Sequence, residues 1–455
     1  MQLEENIQAF GKRVFEAVGR AQPSTFNKNY LPGKIMEWSM SKPAFKVNMF
    51  RLVDVLPSLR NSAAIARHVN EYLSIPAADI HGLVQWGVNV NPKSLRAKLT
   101  SLSVRKGVEQ MARMFIAGEN AKSALRPLKR LMKERLWFTV DLLGEYSVSE
   151  IEAKAYLERY MEALDVLGPT VPRWSESKAP IEGHPSCQTP VHVSVKLSAL
   201  YSQCDVLNFE RSVEVLTERL SLIVRKAQEV NAMLNIDAED TGHNDIIYTV
   251  FEKVFGEIFP DFHLPGIVVQ AYTLDSAERL ERLRAFAQKR GKPIAIRLVK
   301  GAYWDFETVV ASQNHWPSPL FAKKESTDAQ YERLAKYLLD NTDCFMPAFG
   351  SHNVRSLSFA CCYAKEKGLS PKDFELQMLF GMAEPIAKAF RKEGYFVRLY
   401  VPLGEMLPGM GYLVRRLLEN TSNESFLRHT FYDDGEVESL LTQPDFQGDC
   451  TPRDF

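Results

Sequence analysis

The chain has 455 residues, 45% of them hydrophobic and 25% charged, a balance that excludes a disordered or fibrous polymer and leaves room for a large core. At roughly 150 residues per domain the length allows about three domains, or one large barrel with helical additions. The 56 Lys and Arg offset the 56 Asp and Glu, so no net field draws the molecule onto nucleic acid or an anionic bilayer, and no nucleic-acid partner is expected.

The first ten residues carry Glu4 and Glu5 and no basic segment followed by an apolar run, so the start does not read as a secretory signal. No apolar stretch approaches the roughly 18 residues of a membrane span, and any membrane contact is expected to be peripheral. The six cysteines show neither a disulfide framework nor a CxxC pair; reduced, buried thiols in a cytoplasmic protein are the expectation.

Residues 1 to about 133 contain helix-period stretches and no strand alternation. Within 103–117, Val104, Val108, Met111, Met114 and Phe115 fall on one face. A Pro- and Gly-bearing break at 22–33 sets an initial helix apart, and that helix is expected as an arm packed on a partner subunit.

From residue 136 the pattern changes to eight short β-rich runs, at 136–143, 190–197, 233–238, 266–271, 294–299, 344–349, 374–380 and 396–401. Amphipathic spacers of helix length separate them, which predicts parallel strands with crossover helices. Eight such units closing on themselves make an α/β protein of the (β/α)8 TIM-like barrel type, preceded by an all-helical N-terminal region. An open doubly wound sheet is the structural rival; the absence of an early GxGxxG argues against its dinucleotide-binding version. The stretch 168–190 holds Pro169, Pro172, Pro180, Pro185 and Pro190 and reads as a long irregular loop or lid. The expected division is a helical arm and α-domain over 1–133, the barrel over 134–430, and a polar tail or linker over 431–455.

In such a barrel, polar residues at the carboxyl ends of the strands line one mouth. Here they are Asp141, Lys196, Asp237 with Glu239, Gln270, Arg297 with Lys300, Ser351-His352-Asn353, Gln377 and Tyr400, followed by Arg415-Arg416 on the last helix. Several cations among few carboxylates point to a phosphate-bearing cofactor together with an anionic substrate. Plain alternatives stand beside these roles. Lys196 could snorkel from a strand end, Asp237 could cap the next segment, and Arg415 and Arg416 could pair with Glu419 on a solvated helix face. Arg297 is different, because it interrupts an apolar strand and therefore needs an acceptor partner inside the fold. Gly350-Ser351-His352-Asn353 marks a strand-to-helix turn where backbone can approach a ligand closely. No HxH or HxxxH spacing accompanies it, so no metal site is expected.

Five strings occur in order: Val195-Lys196-Leu197-Ser198-Ala199-Leu200, Asp237-Ala238-Glu239, Gln270-Ala271-Tyr272, Arg297-Leu298-Val299-Lys300-Gly301-Ala302-Tyr303-Trp304-Asp305 and Tyr412-Leu413-Val414-Arg415-Arg416-Leu417-Leu418-Glu419-Asn420. Together they resemble the proline dehydrogenase domain of the bifunctional flavoenzyme family proline utilization A. The resemblance covers 136 to about 426, and the helical preface is similar to that family's arm and α-domain more loosely. It implies a distorted (β/α)8 barrel with non-covalent FAD that oxidises L-proline to Δ1-pyrroline-5-carboxylate by hydride transfer to the flavin. Electrons then pass to a membrane quinone, in the first step of proline catabolism to glutamate, with the protein peripheral at the inner face of the membrane.

The same resemblance implies residue roles. Arg415, Arg416 and Lys196 match the clamp on the proline carboxylate, and Leu379, Tyr303, Ala302 and Tyr400 match the wall around the pyrrolidine ring. Asp141 and Asp237 match polar residues beneath that pocket, Asp141 being expected to hold Tyr400 or an arginine. Arg297 matches the arginine beside the reactive flavin nitrogen. Gln270, Val299, Lys300, Gly301, Ala302, Tyr303 and Trp304, with Asp237 and Ala238, match the isoalloxazine and ribityl cradle; Lys323, Lys324 and Thr327 match positions near the phosphates and ribose. Gly350, Ser351, His352, Asn353, Gln377, Leu379, Arg416, Glu419 and Phe426 complete the FAD contacts.

The chain departs from the family at Phe380-Gly381-Met382-Ala383-Glu384, where His-Gly-Met-Gly-Glu is usual, and at Gly350-Ser351, where Ala-Thr is common. The ribbon-helix-helix of DNA-binding members and the downstream aldehyde dehydrogenase are missing. A stand-alone enzyme and the front section of a longer polypeptide are both open, with a homo-oligomer and a covalent or associated aldehyde dehydrogenase as the implied partners. Two other functions remain open: a barrel flavoprotein of the methylenetetrahydrofolate reductase type, and an inactive barrel acting as a binding module.

Overall fold

The computed structural model describes residues 2–19, 43–73, 90–144, 146–175, 183–407, 409 and 434–446. Five helices precede the first strand in the described residues: α1 (Gln2–Gly19), α2 (Pro43–Val55), α3 (Ser62–Leu73), α4 (Leu95–Phe115) and α5 (Ala121–Lys133). The expected amphipathic helix is α4, which starts eight residues earlier than its apolar stripe because Ser94 caps it, accepting from the Ala97 N–H. Val108 and Phe115 on that stripe are buried against Leu52, Ile65 and Val69 of α2 and α3. Asn120 and Ser123 form a reciprocal capping box that starts α5.

The first helix, expected as an arm, packs within its own chain. Ile7, Phe10, Val14 and Val18 of α1 are buried within the same chain, and the Phe10 ring meets Phe390 and Tyr395 edge-on, each at 5.8 Å. The apolar stripe leaves water in a groove on its own barrel.

The barrel follows as β1 (Trp137–Leu142), α6 (Glu150–Leu167), β2 (Val191–Val195), α7 (Phe209–Glu229), β3 (Ala232–Ile236), α8 (Asn244–Lys253), β4 (Gly266–Gln270) and α9 (Ser276–Arg290). It continues with β5 (Ile294–Val299), α10 (Trp304–Gln313), α11 (Lys324–Asp340), β6 (Phe345–Gly350), α12 (Val354–Glu366), β7 (Glu375–Leu379), α13 (Glu384–Lys392) and β8 (Val397–Leu403). Each strand pairs in parallel with the next, and β8 returns to β1, with Thr139 opposite Tyr400 and Asp141 opposite Pro402. Closure excludes the open doubly wound sheet. No predicted strand end is displaced by more than two residues.

Side chains alternate along each strand, and here the alternation sorts chemistry. Val193 and Val195, Leu234 and Ile236, and Leu376 and Met378 belong to the apolar core, while His192, Ser194, Lys196, Asn235, Asp237, Glu375, Gln377, Arg398 and Asp141 are buried polar residues at alternating positions. The barrel axis is therefore occupied largely by polar groups, where branched aliphatic layers are the commoner filling.

The lid expectation for 168–190 is corrected. This segment joins α6 to β2 and so reaches the amino-terminal floor of the barrel, opposite the mouth. Its described residues contain helical turns at Pro172–Ser175 and Pro185–Cys187, and its His184 is buried, stacked on Phe396 at 3.7 Å and 4.0 Å from Glu375 at the start of β7. Residues 176–182 lie outside the described residues.

Beyond the barrel, α14 (Asp434–Leu440) lies in the region read as polar tail. Leu441 after it is fully buried and fills the notch at Gly11 of α1, where an added Cβ would come within 2.4 Å of the leucine side chain. Among the described residues, no helix is long and apolar enough to cross a membrane.

Candidate active site

A cavity of about 440 Å³ opens at the carboxyl ends of the strands, within the usual range for ligand pockets. Its base is organised by Arg297 on β5, which is 5% exposed. The Arg297 guanidinium donates from Nε to Gln377 Oε1 at 2.6 Å, from Nη1 to Asp237 Oδ1 at 2.6 Å and from Nη2 to Ser194 Oγ at 2.9 Å. The acceptor partners that the buried strand position demanded are therefore present on β2, on β7 and just past the end of β3.

Asp237 joins Arg297 to Tyr400 and Lys196. Its Oδ2 accepts from the Tyr400 hydroxyl at 2.6 Å and from Lys196 Nζ at 3.4 Å. Lys196 also donates to Asp141 Oδ1, and its Nζ stands 3.2 Å from the Tyr400 oxygen. The expectation for Asp141 is corrected: it pairs with Lys196, which the β1–β2 pairing brings alongside it, whereas Tyr400 is held by Asp237. The Tyr400 ring lies against both cations, 5.2 Å from the Arg297 carbon and 5.8 Å from Lys196 Nζ.

The upper wall is built from strand-to-helix turns. Asp237 and Ala238 follow β3, and Gln270 at the end of β4 donates to the Glu239 carbonyl at 2.9 Å. Burial raises the carboxyl of Glu239, although the Ser198 N–H donates to it at 3.1 Å. Val299, Lys300, Gly301, Ala302 and Trp304 come from the end of β5 and its turn. Gly301 has φ +144°, and a Cβ there would stand 2.4 Å from the Tyr272 ring, so this turn requires glycine. Lys300 forms an ion pair with Asp328 at 2.5 Å, and Trp304 Nε1 donates to the Phe321 carbonyl at 3.0 Å.

Lys324 and Thr327 reach the cavity from the first turn of α11. Gly350, Ser351 and His352 reach it from β6, Gln377 and Leu379 from β7, and Tyr400 from β8. His352 Nε2 accepts from the Leu379 N–H at 2.9 Å, and burial pushes its pKa down to about 4. The ring is neutral near pH 7 and carries its proton on Nδ1, where it is a donor.

Among the described residues, Lys196 and Asp141 of the expected substrate pocket and three expected cofactor contacts do not line the cavity. Asn353 caps α12 by accepting from the Ser356 N–H at 3.0 Å, and Tyr303 and Lys323 occupy the positions just before α10 and α11. Arg415, Arg416, Glu419 and Phe426 lie outside the described residues. Sequence reasoning missed Ser194, Val268, Tyr272, Asp328 and Met378. Ser194 had a usable signal, standing two residues before Lys196 and therefore on the same strand face. At the departure from the family pattern, Phe380 is buried in the core, and Gly381 has φ +78° with a Cβ position 1.9 Å from the Met114 carbonyl. Among the described residues, no group of His, Cys, Asp or Glu side chains could hold a metal ion.

Fold and cavity define a (β/α)8-barrel protein with a charge-lined, ligand-sized site at the carboxyl end of its sheet. Residues 124–429 match the family described as proline dehydrogenase, and residues 4–115 match the proline utilization A N-terminal domain. The chain belongs to the proline dehydrogenase family. It is 31% identical to the bifunctional protein PutA of Salmonella typhimurium over 353 residues, which is 75% of this chain and 26% of that protein. It is 29% identical to proline dehydrogenase 1 of Bacillus subtilis over 329 residues, 72% of this chain and 93% of that one. Among solved structures it is similar to proline utilization A from Bdellovibrio bacteriovorus inactivated by N-propargylglycine, with 40% identity and a TM-score of 0.87 over 99% of this chain and 44% of that chain. The chain thus spans about a quarter of the length of the bifunctional relatives from Salmonella and Escherichia coli.

Proposed function

We propose that this chain catalyses the first step of proline catabolism, oxidising L-proline to Δ1-pyrroline-5-carboxylate with FAD as electron acceptor and a membrane quinone as the next acceptor. The observation that carries the reading is Arg297, a buried guanidinium fixed by three bonds at the base of a ligand-sized cavity. A fixed cation at that place stabilises negative charge without reorganising when the charge develops.

The residues fit the cofactor. Gly301 and Gly350 are positions where a Cβ would collide, at 2.4 Å with Tyr272 and 2.9 Å with Val299, so backbone rather than side chain lines the wall there. His352 offers a neutral N–H donor, and Lys300, Lys324 and Thr327 supply cations and a hydroxyl for phosphate oxygens. Gln270, Val299, Ala302, Trp304 and Gln377 would hold the ring system by the same reading. FAD, when bound, supplies the two-electron acceptor.

The chain's own residues bind and orient proline. Lys196 and Arg297 are matched by Asp141 and Asp237, so the reading gives the proline carboxylate to Arg415 and Arg416. Leu379 and Ala302 with the Tyr400 ring exclude water from the pyrrolidine. Asp237 is engaged by Arg297, Tyr400 and Lys196 and acts as an anchor, so the amine proton leaves to solvent. Positioning accounts for most of the rate in a step without a covalent nucleophile. A cytoplasmic protein peripheral at the membrane, divided near residues 133 and 430, belongs to the same proposal.

The test is an anaerobic flavin spectrum with and without L-proline. Bleaching by proline is expected, with proline preferred over 4-hydroxyproline because Tyr400 crowds the far ring edge. Reduction by NADH but not by proline would favour a methylenetetrahydrofolate reductase-like barrel, and a colourless protein would favour a binding module.

A further inference from the structure

The polar column inside the barrel continues below the cavity. Gln377 accepts from Arg297 Nε through Oε1, and through Nε2 it donates to Glu375 Oε1. Glu375 takes the fork of Arg398, with Nε to Oε1 at 2.8 Å and Nη2 to Oε2 at 2.9 Å, and Arg398 Nη1 donates to the Phe138 carbonyl at 2.9 Å. Arg398 is completely buried. The register explains the column: Gln377 pairs with Arg398 and Leu379 with Tyr400, so β7 and β8 carry Glu375, Gln377, Arg398 and Tyr400 inward side by side.

The amide of Gln377 has two orientations related by a half-turn. Only one of them offers oxygen to Arg297, whose guanidinium has donors alone; the other sets NH2 against N–H. Glu375 selects between them, because an ionised carboxylate accepts and cannot donate. Burial pushes the Glu375 carboxyl up, but the charge and hydrogen bonds of Arg398, with His184 and His192 nearby, hold it down at about 2.

We propose that Glu375, clamped by Arg398 at the closed end of the barrel, is a positioning residue: it fixes the Gln377 amide and thereby holds the Arg297 guanidinium at the base of the cofactor cavity. This deepens the functional reading above and rests on it, since it assigns Arg297 the stabilisation of the reduced cofactor. A pair that merely plugged the floor would be replaceable by apolar side chains without effect at the mouth.

The experiment reads the reduction potential of the flavin in the holoenzyme against a reference dye, with thermal midpoints recorded alongside. The variants are E375Q, the charge-neutral double variant E375L/R398L, Q377M, and the triple variant. The double variant leaves no unpaired buried charge and keeps the proposal testable where E375Q fails to fold. The expected result is a roughly tenfold fall in the equilibrium ratio of reduced to oxidised flavin, ~30 mV for a two-electron couple, in E375L/R398L and in Q377M. The triple variant is expected to match Q377M, because no amide remains to be oriented. A wild-type potential in E375L/R398L, or effects that add in the triple variant, overturns the proposal. The dye titration needs no proline, so a wild-type flavin that titrates normally but is not bleached by proline sinks the functional reading separately.

Discussion

Tyr400 donates its hydroxyl to Asp237 Oδ2 at 2.6 Å while Arg297 occupies Oδ1 of the same carboxylate, also at 2.6 Å. One buried side chain thus sets both the aromatic ring and the guanidinium that lies against it at 5.2 Å. Tyr400→Phe keeps the ring and removes the anchor. Its kcat/KM for proline is expected to fall about tenfold, the loss of roughly 1.4 kcal/mol for one hydrogen bond to a charged group. Steady-state kinetics with a soluble quinone analogue checks this, and an unchanged value would remove Asp237 from the orienting role.

Arg297→Lys keeps the charge and loses the fork. A lysine cannot serve Gln377, Asp237 and Ser194 with the planar spacing of a guanidinium. The rate of flavin bleaching by proline in stopped flow is expected to drop about 10²–10³-fold. Flavin content measured from the absorbance ratio should fall much less than the rate.

Gly301→Ala places a methyl group where the Tyr272 ring already sits, on a backbone with φ +144°. Strain of about 1–3 kcal/mol is expected, seen as a lowered thermal midpoint. The same variant should purify with less flavin, because the turn must move away from the ring. Relief of both losses in Gly301→Ala combined with Tyr272→Ala would show that the collision is the cause.

Acid should weaken the fold in two stages. Burial lowers His184 from 6.5 to about 4, so between those values the unfolded chain binds a proton that the folded one refuses; stability is whole above pH 6.5 and is lost as the pH falls towards 4. Burial raises Glu375, but the stronger pull of Arg398 takes it from 4.5 down to about 2, so its contribution is present above pH 4.5 and is lost as the pH falls towards 2. His184 and Glu375 each contribute on the order of 3 kcal/mol. Urea unfolding at a series of pH values measures both stages, and His184→Phe, which keeps the stack on Phe396, should shrink the first stage without abolishing it, because burial also lowers His192 and His352 and they lose stability over the same range.

Several parts of the site were legible because a charge stood out against apolar neighbours. Lys196 and Arg297 interrupt valine- and isoleucine-rich strands, and desolvation alone demands partners for them. Which partners was not legible. Asp141 meets Lys196 rather than Tyr400 because β1 and β2 are neighbours in the closed sheet, a relation between residues 55 positions apart. Glu375 and Arg398 gave no local signal of function, since a polar residue inside a strand run faces solvent in one register and the axis in another.

The amino-acid sequence by itself determined the eight parallel units, the turns that demand glycine and the cations that must be paired, because hydrophobic period, backbone freedom and desolvation act over a few residues. Only the tertiary structure decided that α1 folds back on its own barrel, that His184 stacks on Phe396 ahead of β2, and that Glu375 stands beneath Gln377 and Arg297. Those outcomes depend on which strands become neighbours when the sheet closes, and neighbours across a closed sheet are chosen by the packing of the whole chain.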